Sequence, residues 1–154
     1  MTTLSIPFKY DYVGSFLRPE AVQNAKQLFK KGFISKDELK AVEDAEIVKL
    51  IEKQKAAGYH VITDGEYRRS YWHLDFFWGL TGIEQTELSH GYFFHGEETA
   101  KGSIKITGKI SGENHPFVEH FKFVNQFADD NTVAKQTFPA PAQLLAELFR
   151  KDNV

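Results

Sequence analysis

Three short polar segments carry the residue types that do chemistry: Gly14-Ser15-Phe16-Leu17-Arg18, Asp64-Gly65-Glu66-Tyr67-Arg68-Arg69-Ser70 and Pro139-Ala140-Pro141. Asp64 and Glu66 stand two apart, so on an extended segment their side chains point the same way. Paired carboxylates can bind an ammonium group, bind a metal, or divide acid and base roles between them. Arg68 and Arg69 favour the ionised carboxylates, which suits holding a cation better than giving up a proton. A charged turn with weak surface ion pairs would look the same in sequence, and the residues alone leave both readings open. Gly14 lets backbone approach a ligand closely, and Ser15 adds a hydroxyl and an N–H. On spacing alone, a tight strand-to-helix turn without a ligand is the favoured reading of that pair.

Other candidates are weaker. Trp72, His73, Phe76, Phe77 and Trp78 can wall a flat ligand, but most are expected in a core. His73 beside Asp75 is either an oriented imidazole or a structural histidine. His90, His95 and Glu97, and the pair His115 and His120, lack the helical spacing of a zinc protease site. Phosphate loop, dinucleotide glycine fingerprint and nucleophile elbow are all missing.

The elements that must position these residues follow from periodicity. A helix starts at Pro19, with Val22, Ala25, Leu28 and Phe29 on one face and Gly32 as its stop. Ser35 and Glu38 form a capping box with Ile34 and Leu39 as a staple. The helix they open carries Leu39, Val42, Ile47, Leu50 and Ile51 and ends at Gly58. Residues 59–63 read as a buried strand ending at Asp64, and residues 8–13 as a weaker first strand. Residues 71–80 are a short helix or a packed loop; 91–110 look extended around a polar turn from Gly96 to Gly102. Within that stretch, Ile104, Ile106 and Ile110 alternate with polar residues, as in a half-buried strand. Pro116 opens a third helix bearing Phe117, Phe121, Val124 and Ala128, and 129–131 is a turn. Residues 132–138 suit a strand, and a last helix carries Leu144, Leu145, Leu148 and Phe149. Strands alternating with helices imply an α/β fold with a parallel sheet, where ligands sit at strand carboxyl ends. All three polar segments fall at such ends.

Composition narrows the class. The 154 residues are 42% hydrophobic and 26% charged, and 19 basic against 21 acidic residues give a net charge of −2. That argues for one globular domain over 1–154 and against a dedicated nucleic-acid binder. No apolar run approaches the ~20 residues of a membrane span, and no secretory signal is visible, so a cytoplasmic location is expected. The chain has no cysteine, which removes disulfides, thiolate metal sites and cysteine nucleophiles together.

Three stretches together carry a family resemblance: Val13-Gly14-Ser15-Phe16-Leu17-Arg18-Pro19, the segment from Gly32 through Ser35 to Leu39, and Val61-Ile62-Thr63-Asp64-Gly65-Glu66-Tyr67-Arg68-Arg69-Ser70 followed by Trp72-His73. They resemble the cobalamin-independent methionine synthase family, in its shorter, single-barrel, methionine synthase II-like branch. The resemblance is dense from about Tyr10 to Leu80 and weaker beyond. It implies a TIM (β/α)8 barrel with the active face at the strand carboxyl ends. The activity implied is that of a 5-methyltetrahydropteroyltriglutamate–homocysteine methyltransferase, which passes a methyl group from a folate to the homocysteine thiol.

Carried onto this sequence, the resemblance makes Val13, Gly14, Ser15, Asp64 and Glu66 substrate-binding residues, with Glu66 facing the substrate ammonium. The family's zinc is held by a histidine, a glutamate and two cysteines from later strands. A chain without cysteine is expected to hold no zinc or other cofactor itself, and no residue here is expected to be catalytic. A whole barrel takes about 250 residues. The expected fold is therefore a partial barrel, about the first three βα units with an extended β insertion, inactive alone. The expected partners are a homocysteine-like amino acid and a folate methyl donor, with either self-association or a complementing chain. The alternatives are a non-catalytic amino-acid-binding module and a self-associating remnant.

Overall fold

A computed structural model describes residues 11–91 and 93–148. The chain divides into two compact units, Met1–Arg69 with Glu119–Gln136, and Ser70–Val118 with Thr137–Val154.

The first unit is built on two helices, α1 (Glu20–Lys30) and α2 (Lys36–Ala56). Pro19 is the residue before α1, so the helix begins one position later than its sequence signal. The capping box forms as read: the Ser35 hydroxyl accepts the Glu38 N–H (3.2 Å) and Glu38 accepts the Ser35 N–H (2.7 Å). Both helices close in the same way, with Gly32 and Gly58 in left-handed backbone and the next residue's N–H bonded back to Leu28 and Gln54 respectively. One short parallel ladder joins β1 (Val61–Ile62) to β6 (Val133–Ala134). Both strands are shorter than the 59–63 and 132–138 expected, because the chain turns sharply at Asp64 and at the Lys135 side only one further bond, Lys135 N–H to Ile62 O (2.9 Å), continues the ladder. The core gathers Val22, Ile47, Leu50, Ile51, Ile62, Tyr67 and Val124. Val124 comes from the part of α4 (Pro116–Asn125) that belongs to this unit. Leu28 and Phe29, placed on the buried face of α1 by spacing, remain substantially exposed, since the stripe runs past the end of the packed surface. The strand read over 8–13 lies mostly outside the described residues; 11–13 have no regular structure.

The second unit pairs β2 (Thr81–Glu87) antiparallel with β5 (Gly102–Ser111) and adds α3 (Leu74–Trp78) and α5 (Pro141–Leu148). Its core is Leu74, Phe77, Ile83 and Ile104, with Leu144 and Leu148 packed against it. Ile106 and Ile110 stay exposed despite the alternation, because buried packing stops at Ile104. The polar turn read from Gly96 to Gly102 is tighter: β3 (Phe93–Phe94) and β4 (Glu97–Glu98) form a hairpin around His95-Gly96, both at positive φ.

The architecture is α/β with three two-stranded sheets among the described residues, of which β1–β6 alone is parallel. No helix among the described residues is long and apolar enough to cross a membrane.

Candidate functional site

The candidate site lies in the first unit, where β1 ends. Gln54 on α2 inserts its side-chain amide beside Thr63, accepting the Thr63 N–H (3.0 Å) and donating to the Thr63 carbonyl (2.9 Å). This finishes the strand where the backbone ladder stops. The Tyr12 hydroxyl meets the Gln54 side-chain oxygen and the Val61 carbonyl, and burial pushes its pKa up to about 12.

From Thr63 the chain makes a compact turn. The Thr63 hydroxyl accepts the Gly65 N–H (3.0 Å), and Asp64 Oδ1 accepts the Glu66 N–H (2.9 Å). Gly65 and Glu66 both adopt left-handed backbone, at φ 63° and 59°. Glycine is required at 65: a Cβ there would sit 2.4 Å from Leu50 Cδ2. Glu66 has no such freedom and holds a conformation that costs a residue with a Cβ on the order of 1 kcal/mol or more. Asp64 and Glu66 therefore do not lie side by side on an extended segment; the turn redirects them. Nor do they belong to a surface ion-pair turn, since Asp64 is 4% and Glu66 8% exposed.

Electrostatics around the turn are close-set. Arg69 Nη1 stands 3.3 Å from Glu66 Oε1. Arg68 turns away instead, to Asp44 (2.5 Å) and Glu43 (3.5 Å), with its guanidinium 5.1 Å from the Phe123 ring centre. Burial lifts the Glu43 pKa, with Lys26 and Arg68 opposing. Burial also lifts Asp44, but hydrogen bonds from Lys40 and Arg68 prevail and hold it low. Asp64 Oδ2 is buried and has no hydrogen-bond partner.

The Gly14 segment meets this turn directly. The Phe16 N–H donates to the Gly65 carbonyl (3.1 Å). Arg18 Nη2 donates to the carbonyls of both Glu66 and Arg69 (3.1 Å each), and Lys26 Nζ donates to Arg69 O (2.8 Å). Phe16 packs on the core, whereas Gly14 and Ser15 are exposed and Val13 is 92% exposed. Two of the polar sequence segments thus share one local structure, with Asp64 and Glu66 buried and Val13, Gly14 and Ser15 open to solvent. Arg18 stands in a polar segment marked by the sequence, but the backbone roles of Gln54 and Lys26 give no sequence signal, since a lysine or glutamine on an amphipathic helix reads as a solvated face.

The other end of the β1–β6 ladder holds a cleft of about 200 Å³, lined by Lys55, His60, Asp129 and Thr132 among others. A 2.6 Å ion pair with Lys55, together with Asn131 and Thr132, takes the Asp129 pKa down to about 2. In the second unit, His73 pairs with the fully buried Glu147 (2.9 Å) and not with Asp75, which accepts the Ser70 and Tyr71 amides.

A family model described as cobalamin-independent synthase, catalytic domain, matches residues 9–132, which take in both segments of the site. The chain belongs to this family. Two uncharacterised proteins of Bacillus subtilis (strain 168), YxjH and YxjG, are each 41% identical to it over 138 residues. Those matches cover 90% of this chain and 36% of each relative, so the chain spans about a third of their length. A 5-methyltetrahydropteroyltriglutamate–homocysteine methyltransferase of Thermotoga maritima is 34% identical over 93 residues, covering 57% of this chain and 13% of that enzyme. Among solved structures, a candidate vitamin-B12-independent methionine synthase from Listeria monocytogenes aligns at TM-score 0.75 and 43% identity, covering 92% of this chain and 39% of that one. A B12-independent methionine synthase from Shewanella sp. W3-18-1, in complex with selenomethionine, shares the fold at TM-score 0.57 and 19% identity, covering 75% of this chain and 33% of that one.

The thiolate zinc site that the synthase resemblance implies does not fit the donors present. The chain has no cysteine, and no group of three histidine, cysteine, aspartate or glutamate residues among those described can hold a metal ion.

Proposed function

We propose that this chain carries the amino-acid-binding part of a cobalamin-independent methionine synthase-like methyltransferase, and not its metal centre. In this reading Glu66 receives the ammonium of a homocysteine- or methionine-like ligand. Asp64 adds its bare Oδ2, and the backbone at Val13, Gly14 and Ser15 contacts the ligand's amino-acid end. The observation that carries the reading is the direct coupling of the two segments through the Phe16–Gly65 bond and the Arg18 clamp. Asp64 supports it independently, because a buried carboxylate oxygen without a donor is costly and an ammonium supplies one.

The thiol-activating metal and the folate methyl donor belong, in this proposal, to parts of a TIM barrel built by strands other than β1 and β6, the two barrel strands that this chain supplies. The 154-residue chain alone is then inactive in methyl transfer. The rest of the barrel, with its cysteine ligands, comes from further sequence or from a complementing polypeptide. Val13 and Leu17, each 92% exposed, and Phe33, 73% exposed, are apolar surface that such a partner would cover. A cytoplasmic site of action goes with the proposed substrates.

Isothermal calorimetry of the folded chain with L-methionine and L-homocysteine tests the binding step. Saturable heat at millimolar ligand is expected, lost in Glu66→Gln and weakened in Asp64→Asn. No heat with a folded wild-type sample rules the reading out. Light scattering tests the partner: a monodisperse monomer at all concentrations argues against self-association and leaves the complementing chain, which is tested by methyl transfer on mixing.

A further inference from the structure

The Glu66 side chain is only as well placed as its backbone, and that backbone is in an unfavourable region. Within the turn, the Arg69 N–H donates to the Glu66 carbonyl (3.1 Å), which is one bond across a four-residue bend. From outside, Arg68 anchors the bend to Asp44 and Glu43 on α2 through its side chain, and the segment after Ser15 grips its backbone carbonyls. Arg18 uses a single nitrogen, Nη2, to reach the carbonyls of Glu66 and Arg69 at 3.1 Å each, which sets the distance between the two ends of the bend. Bonds from a cationic donor are roughly twice as strong as neutral ones. The Phe16 N–H holds Gly65 O just before the bend, so residues 16 and 18 grip it at three carbonyls. Lys26 adds a second bond at Arg69 O (2.8 Å), whereas Arg18 spans both carbonyls.

We infer that Arg18 is the positioning residue for Glu66. By clamping the Glu66 and Arg69 carbonyls it holds Glu66 in left-handed backbone, and it locks the Gly14–Ser15 segment to the carboxylate that receives a ligand ammonium. The inference rests on the amino-acid-binding reading for its consequence in affinity, but its structural half stands apart from it. Without the clamp, Glu66 relaxes towards ordinary backbone and its carboxylate moves with it. Arg18 touches no ligand in this scheme; it acts through Glu66.

The test compares wild type, Arg18→Met and Arg18→Lys in two measurements on the 154-residue chain. Calorimetry with L-methionine should show affinity about tenfold or more weaker in Arg18→Met, as expected when charge-assisted bonds that fix a binding group are lost. Arg18→Lys, which keeps a cationic donor, should recover most of that loss. Amide hydrogen exchange should accelerate at Glu66 and Arg69 in Arg18→Met, with α2 amides such as those of Ile47 and Leu50 unchanged. Wild-type affinity together with unchanged exchange at Glu66 and Arg69 in Arg18→Met overturns the inference. If Arg18→Met loses α2 protection and so fails to fold, Arg18→Lys decides: wild-type exchange at Glu66 supports the clamp, and accelerated exchange with a donor in place overturns it. Should wild type bind no methionine, the amino-acid reading fails, while exchange at Glu66 and Arg69 still judges the clamp.

Discussion

Gln54 and Thr63 pair as two strands would: the side-chain amide of one satisfies both the N–H and the carbonyl of the other, at 3.0 and 2.9 Å. Both residues are buried, so neither backbone group has water as a substitute. The pair fixes the point at which β1 stops and the Asp64–Glu66 turn starts, and it ties that point to α2. Gln54→Ala strands two buried backbone groups and should cost about 2–4 kcal/mol in urea denaturation. Gln54→Glu keeps the acceptor and loses the donor, and should fall between. A loss below about 1 kcal/mol for Gln54→Ala would show that Thr63 finds other partners.

The Gly65 position tests the turn itself. A methyl group there meets Leu50 Cδ2 and must also adopt positive φ. Overpacking and left-handed strain together should destabilise Gly65→Ala by about 2–4 kcal/mol. Leu50→Ala removes the obstacle, so the double variant should be more stable than the sum of the two losses by about 1 kcal/mol or more. Additive losses would place the strain in the backbone alone.

The local structure around the candidate site is legible in the sequence where it depends on near neighbours, and hidden where it does not. The capping box at Ser35 and the glycine stops at Gly32 and Gly58 depend on near neighbours in the chain, and they form as their residue types dictate. The strand at Thr81–Glu87 has no sequence signature, because Ile83 is its one buried apolar residue; it is held by pairing with β5, which local pattern does not encode. Residue type marks out Asp64 and Glu66, but their backbone is not the extended segment that the spacing suggests. Two consecutive left-handed residues cannot be inferred when the second is a glutamate, since nothing about its side chain favours that backbone. Sequence places Asp75 beside His73 and leaves a structural role open; the partner, Glu147, is 74 residues away, beyond any local pattern.

Asp129 gives a prediction in pH. Its folded-state pKa lies below the ordinary carboxylate value of about 3.9, so the contact with Lys55 contributes fully above that value and is lost as pH falls through about 2. Carboxyl carbon shifts followed by NMR should place the Asp129 midpoint near 2. Adding salt should move it upward, because the pair is open to solvent. A midpoint near the ordinary value would mean that the Lys55 contact does not persist in solution.

The pair His73–Glu147 concerns the second unit. Glu147 is fully buried on α5, and His73 precedes α3, so the contact at 2.9 Å joins two elements distant in sequence. Removing one member of a buried polar pair leaves the other without compensation. Glu147→Ala should therefore cost about 3 kcal/mol, with part of the loss due to the cavity. His73→Phe with Glu147→Leu removes both polar groups and keeps apolar volume, and it should recover at least half of that loss. The two outcomes separate a polar role from simple packing. Recovery by the double variant assigns the cost of Glu147→Ala to a stranded imidazole, while equal losses assign it to space that neither replacement fills.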